Sequence, residues 1–238
     1  MRYFTVLFYL IITFPTLQSQ SLLFKNANYL HPATETFQRG NISINEGKIT
    51  HLKKKRKADQ IIAADSFYII PGLVDAHIHL FQSGGLYTRP DAVDLREFYP
   101  YEKEREWLKS NAEDLLKRYL KMGITTVVDM GGPLYQLAMR DSLAQQKNLP
   151  DLWITGPLVS TYQPPELDVA DAPIVKVKTT EEVRELVRQQ LPVKPAFIKI
   201  WYIALPTQSA ESTYDIVEAT IEEAHKNGLK AAVHATQL

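Results

Sequence analysis

The sequence predicts an α/β protein built on a parallel sheet, and three observations carry that prediction. From about residue 102 to residue 235, short apolar runs alternate strictly with longer amphipathic stretches. That alternation is the pattern of strand, crossover helix and parallel strand. The apolar run ending at Leu80 is announced by Pro71-Gly72 and carries His77 and His79 two residues apart, a spacing that puts both imidazoles on one face of a strand. With 238 residues, 45% of them hydrophobic, the chain can bury a large core; its 27 basic and 27 acidic residues cancel, so no global field marks a polyelectrolyte binder.

The chain opens with Met1-Arg2-Tyr3, an apolar run from Phe4 to Phe14 and small polar residues around Ser19. Residues 1–19 therefore read as a cleaved export leader, which places the mature protein in the periplasm or outside the cell. Its apolar core is too short for a stable membrane span, so no membrane insertion is expected after cleavage; a buried first strand is the other reading. Residues 20–70 read as part of a β-sandwich, with strands near 22–24, 41–44, 48–52 and 60–63 and a hairpin signal at Asn45-Glu46-Gly47. Ile49 and Leu52 break the alternation of the third strand, and His51 there reads as an exposed strand residue. The five cations at 53–57 read as a solvated turn rather than a nucleic-acid patch, so no nucleic-acid partner is expected.

After the His pair comes a polar and aromatic connection, residues 81–101. Its Tyr87 and Arg89 either orient a substrate carboxylate or sit on the loop without contact. A helix over 102–122 follows, ended by Gly123. The next units are strand 124–130, helix 134–146, strand 152–159, helix 180–190, strand 197–203, helix 212–226 and strand 229–235. Thr179 to Glu182 supply an N-cap and first-turn acids, Asn227-Gly228 a stop, and His225 suits the negative end of its helix.

In parallel architectures the strand C-termini face the site. Three strand ends carry unusual groups: His77 and His79, then Lys199 between Ile198 and Ile200, then His234 in Ala231-Ala232-Val233-His234. Each has two readings. The paired imidazoles make half of a metal site or divide into a core and a surface histidine. Lys199 is paired or modified inside the sheet, or reaches solvent from an edge. His234 is a ligand or a satisfied core residue. Cysteine is absent, so any metal must use His, carboxylate or a modified Lys.

Pro71-Gly72-Leu73-Val74-Asp75-Ala76-His77-Ile78-His79 resembles the first-strand signature of the metal-dependent amidohydrolase superfamily, with Asp75 expected behind the two histidines on their face. The stretch from Gly123 to Gly132, with Asp129 and two following glycines, resembles its imidazolonepropionase-like and Xaa-Pro dipeptidase-like branch. Val128 stands where that branch often has Arg, and the stretch from Gly156 to Pro165 does not continue into its Gly-Gly-His-Gly. The resemblance implies a (β/α)8 TIM barrel over 71–238, cut short after about strand five, beside the sandwich. It implies one or two divalent metals, zinc above all, held by His77, His79, His234 and a carboxylated Lys199; Asp129 is expected to join Tyr87 and Arg89 of the loop reading as a substrate-binding residue. A sixth-strand His and the catalytic eighth-strand Asp would lie beyond Leu238, which leaves this chain inactive by itself. The implied reaction is hydrolysis of an amide, peptide or cyclic amide in a small molecule or short peptide, by a protein that can be a homo-oligomer. The alternatives are a mononuclear deaminase-like site on His77, His79 and His234, and a non-catalytic fragment or binding protein.

Overall fold

A computed structural model describes residues 21–52, 58–82, 90–146, 148–203, 209 and 211–235. The expected leader, the cations at 53–57, and Tyr87 and Arg89 lie outside the described residues. The chain divides into two units, Met1–Pro71 and Gly72–Leu238. No helix among the described residues is long and apolar enough to cross a membrane.

The first unit is one mixed five-stranded sheet. Strand β1 (Leu22–His31) is central: β2 (Thr36–Asn45) runs antiparallel to it, β4 (Gln60–Ala63) and β5 (Tyr68–Ile69) run parallel, and β3 (Lys48–Leu52) extends the sheet beyond β2. The described residues of this unit form a single sheet. Glu46 and Gly47 both take positive φ, 51° and 71°, which is the backbone of a tight hairpin between β2 and β3. The broken alternation in β3 has a physical cause. Ser43 aligns with His51 but Ile44 with Ile49, so Thr50 is an extra, bulged residue.

The second unit is α/β with parallel sheets. Strands β6 (Leu73–Ile78), β7 (Ile124–Asp129) and β8 (Asp151–Ile154) form one; β10 (Ile174–Lys176), β9 (Leu158–Ser160), β11 (Ile198–Tyr202) and β12 (Ala231–Ala235) form the other. The expected strand 152–159 is thus two strands, β8 and β9. Across Thr155-Gly156-Pro157 the chain leaves β7 as its partner and joins β11, pairing Val159 with Ile200. Pro157 has no N–H to give to a ladder, and the Thr155 hydroxyl donates to the Phe197 carbonyl instead. Strand β10 has only three residues and no sequence signal of its own.

Helices α1 (Tyr101–Lys121), α2 (Tyr135–Leu143), α3 (Thr180–Gln190) and α4 (Tyr214–Lys226) fall close to their predicted places. Each buries a stripe. On α1 it is Tyr101, Glu104, Leu108, Ala112 and Leu116. Leu116 packs with Ile78 and Val127 of the first parallel sheet and with Leu80 just after β6, and α3 and α4 pack Val183, Val187, Ile216 and Ala219 on Val159 and Ile198 of the second. Thr179 caps α3 by accepting the Glu182 N–H, as predicted.

The N-terminus of α2 is capped from a distance. Asp171, in the β9–β10 segment, accepts the N–H groups of Leu134 (2.6 Å) and Tyr135 (3.1 Å). Arg105 of α1 donates to the Ala170 carbonyl at 2.8 Å and pairs with Asp171 at 3.5 Å. This clamp ties α1, α2 and residues 161–173 together. Asp171→Ala leaves two helix N–H groups without acceptors and is expected to cost about 1–2 kcal/mol. Urea unfolding of the full-length protein should show a lower midpoint at an unchanged m-value; an unmoved midpoint would refute the clamp.

Candidate functional site

The site is built on β6, β11 and β12: His77 lies near the end of β6 and His79 just beyond it, His234 lies near the end of β12, and Lys199 is the second residue of β11. His77 and His79 stand with ring centroids 5.4 Å apart at 69°. Their local geometry comes from a bulge. Asp75 aligns with Val127 but Ile78 already with Asp129, so β6 uses three steps against two on β7. The bulge corrects the expected place of Asp75. Its partner Val127 packs toward Leu116 of α1, so Asp75 shares that side and does not stand behind the two histidines. Ile78 and Leu80 are buried as predicted, whereas Ala76 is exposed.

Lys199 and His234 join the pair around one cavity of about 400 Å³. Phe81, Leu158, Leu167, Ile174, Trp201 and Ile203 supply its apolar lining, and Gln82 and Asp91 its further polar groups. Lys199 is only 1% exposed. Burial holds its ammonium below the ordinary lysine range, and no carboxylate among the described residues offsets the charge. His77 is likewise pushed down, first by desolvation and then by the positive charges of Lys199 and His234, with Asp75 opposing. Both shifts favour neutral nitrogen, the form that binds metal.

His79 is oriented from behind. Its Nδ1 lies 2.8 Å from the Gly131 carbonyl oxygen, so with the proton on Nδ1 the ring donates there and Nε2 carries the lone pair that a ligand role needs. Gly131, at φ 107°, is itself held by Asp129, whose Oδ1 accepts its N–H at 2.9 Å. The other oxygen of Asp129 accepts the Leu80 N–H at 3.0 Å and the Gln136 amide at 3.4 Å. Asp129 is 0% exposed and is not part of the cavity lining. The substrate contact expected of it gives way to a brace that fixes the backbone on both sides of the site. A Cβ at Gly132 would fall on the Gln136 side-chain oxygen and crowd Phe81, so Gly132 leaves that amide its place.

With that geometry in place, comparison with known proteins is direct. A sequence profile of the amidohydrolase family matches residues 68–238, more than half of the chain. The chain belongs to the amidohydrolase family. An adenine deaminase of Clostridium perfringens is 36% identical over 66 residues, 26% of this chain and 12% of that protein. A prolidase solved with N-methylphosphonate-L-proline superposes with a TM-score of 0.68 at 18% identity, covering 90% of this chain and 56% of the other. A Xaa-Pro dipeptidase with methionine bound in its active site gives 0.68 at 21%, covering 90% and 56%. At such identities the structures establish a common amidohydrolase fold, and this chain spans about half of their length.

Among the described residues no three His, Asp or Glu side chains form a group placed to hold a metal ion. A buried amine with no offsetting carboxylate among the described residues would suit conversion to a carboxylate-like ligand, and the imidazoles with such a group would suit a divalent ion. Trp201 and Gln82 are among the eight lining residues that went unread in the sequence. Period-two spacing from Lys199 points to Trp201, whereas Gln82 follows β6 in a 3-10 turn and has no comparable signal.

The Asp129 carboxyl is pushed up to about 7 by burial, against the two backbone donors that pull it down. The folded protein then holds this proton more tightly than the unfolded chain, whose value is near 3.8. Its contribution to stability is greatest below about pH 4, declines as pH rises to about 7 and is level above. Asp129→Asn removes the titration. The wild-type minus variant difference in unfolding free energy, measured by urea at a series of pH values, should fall across that window. A difference independent of pH would show the carboxylate charged throughout.

Proposed function

We propose that the complete protein is an exported metal-dependent hydrolase of carbon–nitrogen bonds in small molecules or short peptides. The observation that carries this reading is the meeting of His77, His79, Lys199 and His234 around one cavity, in a chain of the amidohydrolase family. In this reading residues 71–238 are the opening five strands of a (β/α)8 barrel, residues 20–70 belong to a β-sandwich, and residues 1–19 are the leader. The related prolidase and Xaa-Pro dipeptidase support a peptide or amide substrate; the related adenine deaminase supports the second reading, a mononuclear deaminase-like site.

His77, His79 and His234 would hold the metal through neutral imidazole nitrogens, with zinc the ion best suited to this donor set. Lys199 would complete it after carbon dioxide adds to the neutral Nζ, forming a nitrogen–carbon bond and releasing one proton. Burial prepares Lys199 for that step, since it favours the neutral, nucleophilic amine. When bound, the metal supplies a hydrolytic nucleophile by lowering the pKa of water from roughly 15.7 to about 7. Tyr87 and Arg89 are proposed to orient a substrate carboxylate.

Lys199→Ala in the full-length protein is expected to lower metal content and to reduce turnover by at least about a hundredfold, with partial recovery on adding short carboxylic acids. Lys199→Arg should not recover, because a guanidinium stays cationic. Metal analysis of protein grown with zinc and bicarbonate is the measurement. Full metal content and an undiminished rate in the Ala variant would overturn the role of Lys199. Metal stoichiometry of the wild type separates the binuclear from the mononuclear reading.

A further inference from the structure

Trp201 follows Lys199 by two residues on β11 and pairs with His234 of β12. Strand alternation therefore sends its indole from the same face as both. It lines the cavity and is only partly buried, unlike Leu158, Leu167 and Ile174, which are 3%, 1% and 6% exposed. Those three residues, with Tyr101, form the buried cluster against which Trp201 packs. The Tyr162 ring lies 6.1 Å away at 37°.

The backbone under the indole is fixed as well. Ser160 Oγ donates to the Trp201 carbonyl at 2.8 Å and accepts the Tyr162 N–H at 3.1 Å. Tyr162 and Leu167 belong to the β9–β10 segment that Asp171 and Arg105 fasten to α2 and α1. A large aromatic ring is thus held rigidly beside the four polar donors, with part of its surface left open to the cavity. Such a ring contributes contact area without losing much side-chain freedom on binding, and it favours flat partners through offset or edge-to-face packing.

We infer that Trp201 is a substrate-contacting residue that selects an uncharged aromatic group next to the bond to be cut. The bond-cutting part rests on the hydrolase reading above; the binding preference does not. The test compares phenylalaninamide with glycinamide on the full-length, zinc-loaded protein, by calorimetric binding and by ammonia release. The wild type should prefer phenylalaninamide at least about tenfold in both measurements. Trp201→Ala should bring that ratio close to one, and Trp201→Phe should keep most of it. Trp201→Leu preserves apolar bulk for Leu158, Leu167 and Ile174 to pack against, so it serves if the Ala variant does not fold, and it should lose most of the preference.

Binding selectivity that depends on Trp201, without ammonia release from either amide, would leave the platform standing and sink the hydrolase reading. Ammonia release with no preference, a preference unchanged in both the Ala and Leu variants, or no binding of phenylalaninamide would each overturn the role of Trp201.

Discussion

A single buried carboxylate holds the ends of β6 and β7 in register. Asp129 has no solvent to satisfy its two oxygens, and it uses them on the N–H groups of Leu80 and Gly131, which flank the site from two strands. Through the Gly131 carbonyl the same brace reaches His79. An unsatisfied buried carboxyl would cost several kcal/mol, so the local backbone has few other conformations open to it. Gly131 supplies the positive φ that the brace needs, and Gly132 leaves room for Gln136 to contribute the third donor.

Lys199 shows the opposite economy. The residue is as buried as the core leucines, yet no acid among the described residues offsets its charge, and a fold that kept it for stability alone would do better with Met or Leu. Such an uncompensated group is a sign of chemistry at the position. The cavity sets this polar cluster against an apolar wall of Leu158, Leu167, Ile174 and Trp201.

The wall depends on parts of the chain remote from it. Residues 161–173 have little regular structure, but Asp171 uses the exposed N–H groups of α2 as an anchor and Arg105 adds a second hold from α1. A segment that would otherwise be a loose connection becomes a fixed side of the site. The amidohydrolase relatives share the fold at low identity, which is the pattern expected when scaffold strands persist and the connections that shape specificity diverge.

Much of this was legible in the sequence, because it depends on neighbours close along the chain. Alternating apolar runs and amphipathic stretches determine which segments are strands and helices, Thr179 determines where α3 begins, and the two-residue spacing determines that His77 and His79 lie side by side. The place of His234 near a strand end follows from the same regularity, whereas Lys199 turns out to be the second residue of β11 and not at its end. What only the tertiary structure decided involves partners far apart in the chain. The bulge in β6 exists relative to β7, so the side taken by Asp75 could not be read from alternation alone. The split of one expected strand into β8 and β9 reflects a change of partner from β7 to β11, and the burial of Asp129 depends on Leu80, 49 residues before it. Local periodicity assigns a residue to a face; only packing decides whether that face meets solvent, a helix or a cavity.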